Sequence, residues 1–226
     1  MLQCDTSSSL STQWDMTSSN SPHDFHPVYQ VGRADDLDEA WGIDLITGQK
    51  VASLVALFGA VEFHLERAIW KVKGIDPKGI RPETDGKRIS TMIDMVEQIA
   101  VALPSDIEKG MLATWCAACR SGFTIRNNIS HGVPSRLGTT LVFSRNPQWH
   151  GEQRKKGFGD FWADVHTLDL VRQSFATLLR VIVQVEKCET SLESIATKVV
   201  LRALGEARSI LGEFASQTYN PSFEKY

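Results

Sequence analysis

Ile125-Arg126-Asn127-Asn128-Ile129-Ser130-His131-Gly132 puts a permanent cation, an amide and the one side chain that titrates near neutral pH close together in the chain. On a helix, Arg126 to His131 spans roughly one and a half turns. An imidazole can take a proton from a hydroxyl, and a guanidinium can steady the charge that grows on a phosphorus atom as that hydroxyl attacks. The set suits phosphodiester chemistry. Asn127 and His131 are four residues apart and share a face, whereas Arg126 lies on an adjoining face that a second subunit can complete. A plainer reading stands beside this one: Asn127-Asn128 and His131-Gly132 form a C-terminal cap, with His131 at the negative end of the helix and Arg126 solvated.

The element that must carry the stretch is a long amphipathic helix. Ile107, Met111, Leu112, Trp115, Cys119, Phe123 and Ile129 supply its apolar face. Ser105 and Glu108 have the spacing of a capping box at its start, and Gly132 with Pro134 stops it just after His131. Two helices precede it. Val51, Leu54, Val55, Phe58, Val61, Leu65, Ile69 and Val72 mark the first, which ends near Gly74. Ile89, Met92, Ile93, Val96, Ile99 and Ala100 mark the second, after an Arg81-Pro82 and Asp85-Gly86 loop. Glu62 falls between Phe58, Leu65 and Ile69 on the first helix. It is either an edge residue paired with Arg67 or Lys71, or a carboxylate that supports Arg126.

After the motif come the β-prone runs Thr139–Ser144 and Phe158–His166, joined through Asn146-Pro147 and Gly151, which predict a small hairpin. Its loop holds Arg154, Lys155 and Lys156, the densest basic run in the chain. That run is a solvated tip or a contact to a phosphate backbone. Periodic segments from Leu168 to Cys188 and from Ser191 to about Phe214 add two helices. The expected fold class is all-α: an up-and-down helical bundle with a small β-hairpin inserted between the motif helix and the last two helices.

Composition limits the partners. With 24 Lys and Arg against 27 Asp and Glu, the 226-residue chain has a net charge of -3, so a polyanion must be met by a local patch. At 42% hydrophobic and 23% charged residues it can bury a full core. Residues 1–35, rich in Ser, Thr, Asn, Asp and Pro, read as a disordered tail, and 36–226 as one helical domain. Trp14 or Trp41 could dock on that domain. No run of 18 apolar residues and no secretory signal pattern is visible, so a cytoplasmic location is expected. Of Cys4, Cys116, Cys119 and Cys188, the close pair lies in mid-helix, away from the strand-to-helix turn that a redox pair needs, and reads as packing. No zinc knuckle, metalloprotease motif, P-loop or Rossmann fingerprint is present, and neither a metal nor a cofactor is expected.

Arg126, Asn127 and His131, followed by Gly132, at the end of a helix in an all-α chain, resemble the motif of the HEPN superfamily of ribonucleases and nucleotide-binding domains. The resemblance covers about residues 49–187. It implies a homodimer whose motif helices face each other across a shared cleft. By that similarity His131 acts as general base or acid, Arg126 stabilises the scissile phosphate and Asn127 orients them. Cleavage of RNA would need no metal and leave a 2′,3′-cyclic phosphate. Such domains recur in toxin-antitoxin and phage-defence systems, which implies an antitoxin or other regulatory protein as a partner. Other members of the superfamily keep the fold without catalysis and bind nucleotides or proteins, which is the alternative for this chain.

Overall fold

The computed structural model describes residue 28 and residues 31–216; Cys4, Trp14 and nearly all of the Ser-rich segment lie outside the described residues. The chain divides into two compact units, Met1–Leu37 and Asp38–Tyr226, and the motif belongs to the second. The architecture is mainly helical with a small antiparallel sheet. A short helix, α1 (Ala34–Trp41), is followed by α2 (Leu45–Lys73), α3 (Ile89–Ala102) and α4 (Asp106–His131). Strands β1 (Val133–Leu137), β2 (Thr140–Arg145) and β3 (Gly159–Trp162) come next, then α5 (Val165–Lys187), a 3₁₀ turn (Leu192–Ser194) and α6 (Lys198–Phe214).

Helix α2 starts because the Asp44 side chain accepts a hydrogen bond from the Thr47 amide at 2.7 Å. It ends because Gly74 takes the left-handed conformation at φ 66°. Leu54, Phe58, Val61, Leu65 and Ile69 line its buried face, matching the three-and-four spacing of the sequence. By length and composition α2 is also apolar enough to cross a membrane, with a mean hydropathy of 1.3 over its richest window. Its main packing partner is α5. Lys50 meets Asp169, Ser53 meets Arg172, Phe58 meets Phe175 and His64 meets Glu186. The contacts climb both helices in the same order, so α2 and α5 lie parallel.

Strict up-and-down alternation would make those two helices antiparallel. Trp115 of α4 donates to the Leu178 carbonyl of α5, and Phe123, further along α4, meets Phe175, which comes earlier in α5. Helix α4 is therefore antiparallel to α5, and α4 rather than the shorter α3 reverses the direction set by α2. Phe58, Phe123 and Phe175 meet at the centre of the three long helices, with ring centroids 4.7 to 6.2 Å apart. Gly122 makes this possible: a Cβ there would come within 2.5 Å of Phe175 Cζ.

Several sequence expectations are corrected. The insertion is a three-stranded meander in the order β1-β2-β3, not a two-stranded hairpin. Val133 pairs with Ser144 and Arg145 with Gly159. The helix does stop after His131, as Gly132 and Pro134 predict, but Pro134 then sits in an edge strand, where a missing amide is tolerated. The last strand stops at Trp162, because Asp164 caps α5 by accepting from the amides of His166 and Thr167. Ser105 makes no capping hydrogen bond. Its expected partner Glu108 is buried and instead accepts from Ser191 Oγ and the Glu193 amide, each at 2.8 Å. Ser191 thus starts the 3₁₀ turn, and the final helix begins only at Lys198, capped by Thr197.

Candidate functional site at the end of the fourth helix

Helix α4 stays helical through His131. At 100° per residue, Arg126, Ser130, Asn127 and His131 then follow one another across a sector of about 140°, and His131 lies about 7.5 Å further along the axis than Arg126. Ser130 and His131 are exposed, while Arg126 and Asn127 are half-buried. Earlier on α4 the same sector is mostly buried, at Phe123 and Cys119, with Arg120 paired to Asp94 and Glu97 at its edge. At the motif the sector opens at Ser130 and His131.

Arg126 Nη1 donates to Asn127 Oδ1 at 3.1 Å, its one hydrogen bond among the described residues, and no described carboxylate pairs with it. A guanidinium fixed by a neutral amide keeps its charge available for an anion. Gly132 does not cap the helix in the left-handed conformation; at φ -84° and ψ 152° it passes straight into β1. The glycine is required by close approach, since a Cβ would lie 2.2 Å from the Asn128 carbonyl oxygen. The capping reading also loses Asn128, which is buried and donates from Nδ2 to the Asp160 carbonyl at 2.6 Å.

That bond ties the last turn of α4 to β3 and leads to a residue the sequence reading passed over. Arg145 ends β2 opposite Gly159, and a Cβ on Gly159 would come 2.7 Å from Asn128 Oδ1 and 3.2 Å from Arg145 Nη2. Asn128 Oδ1 and Arg145 Nε are buried without a hydrogen-bond partner. A cation at the end of a strand, just before Asn146-Pro147, was the available signal.

The other sequence candidates are spread more widely. Glu62 is half-buried, but it pairs with neither Arg67, Lys71 nor Arg126. Arg67 bonds Glu186 at 2.6 Å instead. Glu62 is near enough to help raise the Cys119 thiol. Cys119 precedes Arg126 by seven residues, about 10 Å along α4, which puts Glu62 at the wrong level to support it. Arg154, Lys155 and Lys156 occupy the exposed β2–β3 connection. Arg154 spends its charge locally, because its hydrogen bond to Glu152 holds that carboxyl down at about 2. Lys155 and Lys156 have no ion pair among the described residues, and Trp149 on the same connection is 62% exposed. Cys116 and Cys119 are fully buried, and burial pushes the Cys116 thiol up to about 12, as packing residues require. Among the described residues no three His, Cys, Asp or Glu side chains converge as metal ligands would. No protein-family model matches this chain, and neither curated proteins nor solved structures match it significantly.

Proposed function

We propose that the chain is an endoribonuclease of HEPN type that works as a homodimer, its helices forming a HEPN-like bundle. The carrying observation is the open sector at the end of α4, where Arg126 and His131 flank Asn127 and Ser130 and no described carboxylate neutralises the guanidinium. His131 takes the proton of a ribose 2′-hydroxyl, and the 2′-oxygen attacks the adjacent phosphorus. Arg126 stabilises the charge on the phosphorane, and Asn127 holds Arg126 in place. The P–O5′ bond breaks, a protonated histidine supplies the proton to the leaving 5′-oxygen, and the products are a 2′,3′-cyclic phosphate and a 5′-hydroxyl. Lys155, Lys156 and the exposed Trp149 suit the flanking RNA, the lysines by phosphate contact and the indole by stacking. A growth-arrest or phage-defence toxin held in check by an antitoxin-like protein is the setting we propose for such an enzyme.

The test is incubation of the purified protein with total RNA in EDTA, beside His131→Ala and Arg126→Ala, followed by analysis of the new ends. Cyclic phosphate ends made by the wild type and lost by at least a hundredfold in both variants are expected. Cleavage that survives in either variant would sink the assignment. Nucleotide or protein binding without cleavage would favour a non-catalytic module.

A further inference from the structure

Resting on the ribonuclease reading, we propose that Arg145 is a second phosphate-binding cation of the site, set in place by Asn128 and Gly159. Strand register puts it there. Val133, two residues after His131, pairs with Ser144, the residue before Arg145. Arg145 and Gly159 are directly opposed, as are Phe143 and Phe161, and the two pairs share one face of the sheet. That face packs on α4: the Cβ a residue 132 would carry lies 3.1 Å from Phe143 Cβ, and Gly159 lies against Asn128. Asp160 falls on the opposite face, and its carboxylate accepts from Trp162 Nε1 at 3.1 Å.

Arg145 therefore points along the last turn of α4 with no described acid beside it. Its guanidinium has no hydrogen bond among the described residues, and its Nε is buried without a partner. Leaving a buried guanidinium donor unpaired costs stability, so a side chain selected for folding alone would not be kept this way. The forked donors of a guanidinium match the bidentate geometry of a phosphate. On α4, Asn128 is about 60° from His131, on the side away from Arg126. Arg145 and Arg126 thus bracket the histidine, one to hold the scissile phosphate and the other its neighbour. Gly159 keeps the space over which the guanidinium reaches Asn128, and Asn128, fixed by its bond to Asp160, presents Oδ1 to that space.

Binding is measured without turnover in the His131→Ala background, by anisotropy of a labelled oligouridine over a salt series. Adding Arg145→Gln should weaken binding about tenfold and flatten the slope of log affinity against log salt by about 0.7, the value of one lost single-strand phosphate contact. Gly159→Ala should act in the same direction, while Arg145→Gln leaves thermal stability unchanged or higher. If Arg126→Gln flattens the slope and Arg145→Gln does not, the role of Arg145 is overturned and the ribonuclease reading survives. If the oligonucleotide is not bound at all and the wild type cleaves no RNA, both fall together.

Discussion

Gly122 shows how tightly single positions constrain this molecule. A methyl group there would meet Phe175 Cζ at 2.5 Å and Cε2 at 2.9 Å, in the aromatic centre where Phe58 and Phe123 leave the ring no room to move. Gly122→Ala is expected to destabilise the protein by about 1–3 kcal/mol, the usual cost of overpacking a filled core. Thermal unfolding beside Gly110→Ala, which meets nothing within 4 Å, checks it: equal melting temperatures would contradict the packing argument. At this scale the sequence was readable where a residue acts through its own helix. Arg126, Asn127 and His131 lie where the period of α4 places them, and Cys116 and Cys119 are the buried packing residues their mid-helix position implied. It was unreadable where a residue acts across elements. Asn128 looked like the second half of an Asn pair, yet its function is set by the Asp160 carbonyl, 32 residues away, and Arg145 gains its position only from the pairing of β1 with β2. Glu62 failed for the same reason, since the level at which α2 crosses α4 is not written in either helix.

Among the elements, α2 and α5 are joined most explicitly by charge. Glu186 on α5 accepts from Arg67 Nε at 2.6 Å and lies 2.5 Å from His64 Nδ1, both on α2. Burial alone would raise the Glu186 carboxyl, but the hydrogen bonds from Arg67 and His64 outweigh it and hold the group below its ordinary value of 4.5. A carboxyl lowered by folding contributes stability that is fully present above 4.5 and is lost as pH falls through its folded value. Glu186→Gln is therefore expected to melt below the wild type at pH 7, with the gap closing as the pH is taken below 4.5. A gap that stays constant across that range would mean the carboxylate charge is not what joins the helices. The existence of α2, α3, α4 and α5 was legible, because their apolar spacing is regular. The end of α2 at Gly74 was legible because that cap is local, whereas the caps at Asp44 and Asp164 were passed over, the second inside a run that read as strand. Ser105 and Glu108 have the capping spacing, but Ser191 and the Glu193 amide take Glu108 away. A sequence pattern cannot register that competition.

For the whole molecule the question is how many copies make one site. The net charge of -3 supplies no general attraction for RNA, so the proposed activity requires cations gathered locally. Within one copy the Arg126 and His131 directions differ by about 140° around α4, too wide for both to face one phosphate squarely. Val133, directly after the motif, is an apolar side chain left about half exposed. A second copy seated there would cover it and bring its own Arg126 across from His131. This predicts complementation. His131→Ala and Arg126→Ala proteins, each inactive alone, should regain cleavage when unfolded and refolded together, because half the sites in a mixed dimer then combine an intact Arg126 with an intact His131. Diluting the wild type should also lower its specific activity once the dimer dissociates. If the mixture stays inactive while sedimentation shows that mixed dimers have formed, each site is built within one copy. The cation that serves His131 would then be Arg145, at the end of the strand that pairs with β1 directly after the motif.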